Sequence, residues 1–140
     1  IHNGNKMKKY LILGIIVLAV FSNSCSQEQS KNSKTILTPT EFAEKVKTVP
    51  TPLLIDVRTP GEFSDGHLQN AVNIDWVGDS FDSQVATLDK SKPVLVYCLS
   101  GKRSAAAATK MREDGFKEVY EMQGGITNWK SADLPVTTGK

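Results

Sequence analysis

Cysteine and histidine are scarce: the 140-residue chain has two of each. Two cysteines cannot build a disulfide framework, and two histidines leave few ligands for a zinc site. Long apolar runs are missing too. Tyr10 to Phe21 is almost wholly apolar and uncharged, but a membrane-spanning helix needs about 20 such residues. Acidic residues are absent from residues 1–24, which hold Lys6, Lys8 and Lys9; from Cys25 onward the formal charge falls from +2 for the whole chain to −1. A near-neutral domain has no electrostatic footprint for nucleic acid. With 39% hydrophobic and 23% charged residues, the composition is globular and excludes a disordered, collagen-like or polytopic membrane protein. The length suits one domain.

The amino-terminal segment reads as an address. Met7-Lys8-Lys9 opens a basic stretch, the apolar run follows, and Ser22-Asn23-Ser24 supplies small residues before Cys25. That order is expected of an export signal over residues 7–24, with residues 1–6 an upstream extension. Cleavage after Ser24 would make Cys25 the new terminus. This resembles a bacterial lipoprotein signal, in which the cysteine receives lipid and ties the protein to a membrane. Ser22 departs from the Leu-like residue usual three positions before that cysteine. Ordinary secretion and an uncleaved anchor are the other readings. All three place the domain outside the cytoplasm, in the periplasm or cell envelope. Residues 25–34 are polar after the cysteine and are expected to be a flexible tether. The folded domain is expected over residues 35–140.

Within that domain, strand and helix patterns alternate. Ile36-Leu37 is a short apolar pair. Thr38-Pro39-Thr40-Glu41 predicts a helix start, with Thr38 as N-cap, Pro39 at the first position and Glu41 closing a capping box. Leu53 to Val57 predicts a strand covered on both faces, and Ala71 to Ile74 a weaker one. Phe81, Val85 and Leu88 mark a helix after Asp79-Ser80. Val94 to Tyr97 is a β-branched strand opened by Pro93. Lys102 to Asp114 carries four consecutive alanines and ends at Gly115, so it predicts a helix. Val119 to Met122 is a last strand, and Ile126 and Trp129 lie on one face of a closing helix. This order favours an α/β fold, a parallel sheet with helices on both faces.

Chemistry concentrates at VLVYCLSGKRS, Val94 to Ser104. A buried strand ends at Cys98, a glycine turn follows, and a helix starts near Lys102. Ligands of open α/β sheets bind beyond the carboxyl ends of strands. The first amides of a helix lack intrahelical partners and favour negative charge. Together with Lys102 and Arg103 they favour a thiolate, and such surroundings can lower a thiol pKa from about 8.5 to about 3.5–7.5. A free cysteine is more often a small buried hydrophobe. The glycine turn, helix terminus and two cations tip the reading towards a nucleophile. Cations are disfavoured at a helix amino terminus, so an anionic ligand is expected to compensate Lys102 and Arg103.

These residues carry a resemblance. The chain is similar to the rhodanese-like (sulfurtransferase) domain family over Thr35 to Lys140. The matching pieces are Leu54 to Arg58, Glu62-Phe63, Gly66-His67-Leu68 with Ala71, Cys98 to Ser104, and Gly124-Gly125-Ile126 with Trp129. One departure is Asn70, where the family often has glycine; it should matter only to a local turn. The resemblance implies a five-stranded parallel sheet between helices. No cofactor and no metal are expected, and a monomer is expected. It implies that Cys98 holds a sulfane sulfur as a persulfide and that the amides of Leu99, Ser100, Gly101, Lys102 and Arg103 cradle it. Lys102 and Arg103 would attract a small anionic donor such as thiosulfate, and the acceptor would be a thiol or cyanide. Asp56, Arg58 and Glu62 are expected to be supporting residues, a strand-end carboxylate and a charge pair shaping the site floor. His67 is expected to be a structural histidine and Trp129 a core residue.

Two function classes remain open. One is an enzyme that turns over sulfur through Cys98; the other is a sulfur carrier or partner-binding module without turnover. Related phosphatases and arsenate reductases have five residues between cysteine and arginine. Here there are four, and a smaller amide ring suits a single sulfur atom better than a tetrahedral phosphate. If Cys25 is lipidated or removed, Cys98 is the lone thiol of the mature chain. Dithiol chemistry within the chain is then excluded.

Overall fold

The computed structural model describes residues 34–140. The extension at 1–6, the expected export signal at 7–24, the lipid-attachment candidate Cys25 and the tether up to residue 33 lie outside the described residues. Lys34 donates to both carboxylate oxygens of Glu41.

Among the described residues, five strands form one parallel sheet: β1 (Ile36–Leu37), β2 (Leu53–Asp56), β3 (Val72–Asn73), β4 (Val94–Tyr97) and β5 (Val119–Met122), in spatial order β1-β5-β4-β2-β3. The helices are α1 (Pro39–Thr48), α2 (Pro60–Asp65), α3 (Phe81–Ala86), α4 (Lys102–Glu113) and α5 (Gly125–Ser131). The central strand β4 is apolar throughout because parallel crossovers cover both its faces. Val94, Leu95, Val96 and Tyr97 are all fully buried.

Alternation along the strands sorts the core into two layers. Ile55, Val94, Val96 and Val119 join Phe81, Val85, Ala107, Ala108 and Met111 on the face covered by α3 and α4. Leu54, Leu95, Tyr97 and Met122 join Phe42, Ile126 and Trp129 on the face covered by α1 and α5. Each of these aliphatic or aromatic side chains larger than alanine contributes about 1.5–3 kcal/mol by leaving water. Helix α4 turns Ser104, Ala107, Ala108 and Met111 inward at helical spacing.

Local rules explain the helix ends. At α1, Glu41 N–H donates to Thr38 Oγ1 and Thr38 N–H donates to Glu41 Oε2, a reciprocal capping box. Helix α4 ends with Gly115 N–H donating to the Arg112 carbonyl and Phe116 N–H to that of Met111, with Gly115 at φ +100°. That is a Schellman ending. Asn70 adopts φ +65°, which asparagine tolerates better than most side chains.

Helix α2 is absent from the sequence reading, although its signal is present. Thr59-Pro60-Gly61-Glu62 repeats the pattern of Thr38-Pro39-Thr40-Glu41. It makes the same box, Thr59 N–H to Glu62 Oε2 at 3.0 Å and Glu62 N–H to Thr59 Oγ1 at 3.3 Å. The helix is six residues long and buries none of them, so no apolar periodicity announces it. It carries Glu62 to the carboxyl side of the sheet.

Candidate active site

Cys98 follows the last residue of β4, and α4 begins four residues later. The turn between them depends on Gly101 at φ +105°, a conformation that other residues enter at a cost. Gly101 N–H points at the sulfur, 3.1 Å from Cys98 Sγ. Cys98 is 1% exposed and belongs to the buried cluster of Val57 and Ala107, yet this amide is turned towards its sulfur. Burial raises the thiol pKa. The polar groups around the sulfur outweigh it: the Ser104 hydroxyl and N–H, the Gly101 amide and the Ser100 amide. The net shift is below the ordinary thiol value. Ser104 is fully buried, and its hydroxyl also lies 3.2 Å from the Gly101 carbonyl oxygen.

A second element sets the loop's orientation. The first turn of α5 sends Ile126 N–H to the Cys98 carbonyl at 2.9 Å and Thr127 N–H to the Leu99 carbonyl at 3.1 Å. In a trans peptide the C=O and the next N–H point in opposite directions. Holding the Leu99 carbonyl on α5 therefore turns the Ser100 N–H away from that helix, and this amide adds to the lowering of the thiol pKa. Such close approach needs Gly125, at φ +60°. A Cβ there would fall 2.5 Å from the Leu99 carbonyl carbon and oxygen, and nearer still to the Cys98 carbonyl oxygen. Gly125, Ile126, Thr127 and Ser104 therefore position the site, a role not assigned to them from sequence. The Gly124-Gly125 doublet before a helical pattern was the available signal.

The remaining candidates fall into two groups. Leu99, Ser100 and Lys102 are exposed on the loop, and Leu99 is 45% exposed. Lys102 makes no ion pair among the described residues. Arg103 is occupied: Nη1 and Nη2 donate to Glu62 Oε2 and Oε1, both at 2.8 Å. This corrects the expectation that an external anion compensates Arg103, because the protein's own Glu62 does so. Arg103 holds the Glu62 carboxyl down to about 2, with the Thr59 N–H and hydroxyl adding to the effect against a smaller opposing effect of burial.

Asp56 and Arg58 form a separate pair in the floor, so Glu62 is not the partner of Arg58. Arg58 Nη2 reaches Asp56 Oδ2 and the Gly66 carbonyl, each at 2.7 Å, and Nε bonds both Asp56 oxygens. Burial lowers the Arg58 pKa, but the Asp56 contacts outweigh it and the net shift is upward. His67 stacks on Phe63 at 3.6 Å between ring centroids, and its Nδ1 lies 2.8 Å from the Phe63 carbonyl oxygen. Its backbone bridges to Thr137. Trp129 is buried on the α5 side, donating to the Pro135 carbonyl at 3.0 Å.

The family model of the rhodanese-like domain matches residues 38–132. The chain belongs to the rhodanese-like domain family. A thiosulfate sulfurtransferase, GlpE, of Coxiella burnetii is 39% identical over 79 residues, spanning 56% of this chain and 72% of the relative. Among solved structures, a rhodanese-related protein from Thermoplasma volcanium is 27% identical with a TM-score of 0.65, covering 74% of this chain and 97% of the other. The polysulfide-sulfur transferase homodimer from Wolinella succinogenes is 30% identical with a TM-score of 0.64, covering 76% and 80%. Its rhodanese-like fold and these relatives assign the chain to sulfurtransferase-type domains in general terms.

Proposed function

We propose that this rhodanese-like domain transfers a sulfane sulfur through a persulfide on Cys98. The observation that carries the reading is the Gly101 amide 3.1 Å from Cys98 Sγ, in a loop that shifts the thiol pKa below its ordinary value. In the first half-reaction the Cys98 thiolate attacks the outer sulfur of thiosulfate. The new S–S bond forms as the old one breaks, and sulfite leaves with its electron pair. In the second, cyanide or a thiolate attacks the outer sulfur of the persulfide, takes it away and restores the thiolate. Charge and atoms balance in both steps, and no cofactor enters. Two covalent half-reactions give ping-pong kinetics.

The test is thiocyanate formation from thiosulfate and cyanide by the protein and by Cys98→Ser. Wild type turns over repeatedly and the variant does not. Equal rates would overturn the reading. Stable loading of one sulfur atom without repeated turnover would instead support the carrier reading, in which the acceptor is a partner protein. The basic, apolar and small-residue order before Cys25 supports a second part of the proposal. In this reading the domain lies outside the cytoplasm, with lipid on Cys25 anchoring it to a membrane. Intact-mass measurement of the isolated protein reads the terminus, any lipid and the state of Cys98 together. An unprocessed terminus would remove the lipid anchor from the proposal.

A further inference from the structure

Glu62 holds the guanidinium of Arg103, one of the two cations of the thiol loop. Both of its oxygens are engaged by the Arg103 fork at 2.8 Å, a bidentate pair with fixed geometry. Glu62 cannot swing aside freely, because Oε2 also accepts from the Thr59 N–H and hydroxyl at 3.0 Å. The pair is only partly covered, with 26% and 31% of the two side chains exposed. Arg103 is the second residue of α4, five positions after Cys98 and within reach of its charge, yet its own charge is cancelled where it stands. Asp56 and Arg58 cancel likewise in the floor. Lys102 is left as the one uncompensated cation of the loop among the described residues, and the same loop exposes Leu99. One cation and one apolar side chain match a donor with a single negative charge and an organic group better than a small dianion.

We propose that Glu62 is a specificity-determining residue: by clamping Arg103 it turns the site towards monoanionic sulfane donors that carry an organic group and away from dianionic ones. This rests on the sulfurtransferase reading. The step balances for such a donor. The Cys98 thiolate attacks the sulfane sulfur of an organic thiosulfonate, an S–S bond forms at Cys98, and the organic sulfinate leaves with the electron pair.

Thiosulfate and benzenethiosulfonate make the test, because both present a sulfane sulfur on a sulfonyl sulfur and differ by one charge and one ring. In Glu62→Gln the capping box to Thr59 can persist while Arg103 is released. The ratio of kcat/KM for thiosulfate over the thiosulfonate should rise about three- to fivefold, mainly through the thiosulfate KM and more at low salt. Arg103→Met, which leaves Glu62 unpaired, should lower the ratio. Glu62→Gln/Arg103→Met should return it towards wild type, since the clamped pair is already neutral. A purely structural role for Glu62 would change both donors in parallel, and a ratio constant across the three variants overturns the proposal.

A second measurement needs no sulfur transfer. The ratio of Cys98 alkylation rates by iodoacetate and by iodoacetamide cancels the thiolate fraction and reports local charge alone. It should rise in Glu62→Gln and return in the double variant; an unchanged ratio overturns the clamp. If the alkylation ratio moves while neither donor loads sulfur on Cys98, the sulfurtransferase reading is what fails, and the donor preference falls with it.

Discussion

Replacing Gly125 by alanine tests the idea that α5 orients the thiol loop. Two costs can be worked out. A non-glycine residue at φ +60° costs roughly 1–2 kcal/mol. The added Cβ also meets backbone, not a flexible side chain: the Leu99 carbonyl at 2.5 Å and the Cys98 carbonyl oxygen nearer still. Relief requires α5 or the loop to move, an overpacking cost of about 1–3 kcal/mol. The total is about 2–5 kcal/mol, or a fall in melting temperature of about 10–30 °C for a domain this size. The shift also weakens the bonds from Ile126 and Thr127 to the Cys98 and Leu99 carbonyls, so the amides aimed at the sulfur lose their alignment. Two assays read the two effects: thermal or urea unfolding for stability, and the pH dependence of Cys98 alkylation by iodoacetamide for the thiol. The expected result is a large loss of stability with the alkylation inflection moved to higher pH. A variant within about 0.5 kcal/mol of wild type with an unchanged inflection would refute the role given to α5.

Asp56→Asn leaves the Arg58 guanidinium buried without its counter-charge and should destabilise the protein by about 3–5 kcal/mol; a loss of unfolding free energy under about 1 kcal/mol in urea would show that Gly66 and Tyr97 suffice to hold it. Cys98 ionises at lower pH in the folded chain than in the unfolded one. Its stabilising contribution is therefore complete above the unfolded-state value and is lost as pH falls through the folded-state value. Wild type should gain stability over Cys98→Ser as pH rises across that window, and a flat difference between the two unfolding profiles would contradict the amide geometry.

Much of the architecture was legible because its signals are local. The Thr38-Pro39-Thr40-Glu41 box, the apolar run of β4 and the alanine-rich α4 ending at Gly115 each depend on neighbours within a few residues. The strand-turn-helix around Cys98 is local in the same sense. Helix α2 was legible in principle, since it repeats the box of α1, but it is short and unburied. A reading led by apolar periodicity passes over it.

The order of residue types along the chain determined the parallel α/β layering and put one thiol at a strand end before a helix amino terminus. It did so because backbone propensity, capping and two-sided burial act over short separations. Which charges meet was decided only in three dimensions. Glu62 and Arg103 are 41 positions apart, and α2 and α4 bring them to 2.8 Å. The Gly125 turn lies 27 positions past Cys98 and still holds the loop's carbonyls through the adjoining amides of α5. Ion pairs and close backbone approach depend on distance in space, which sequence spacing does not encode once the chain has crossed the sheet.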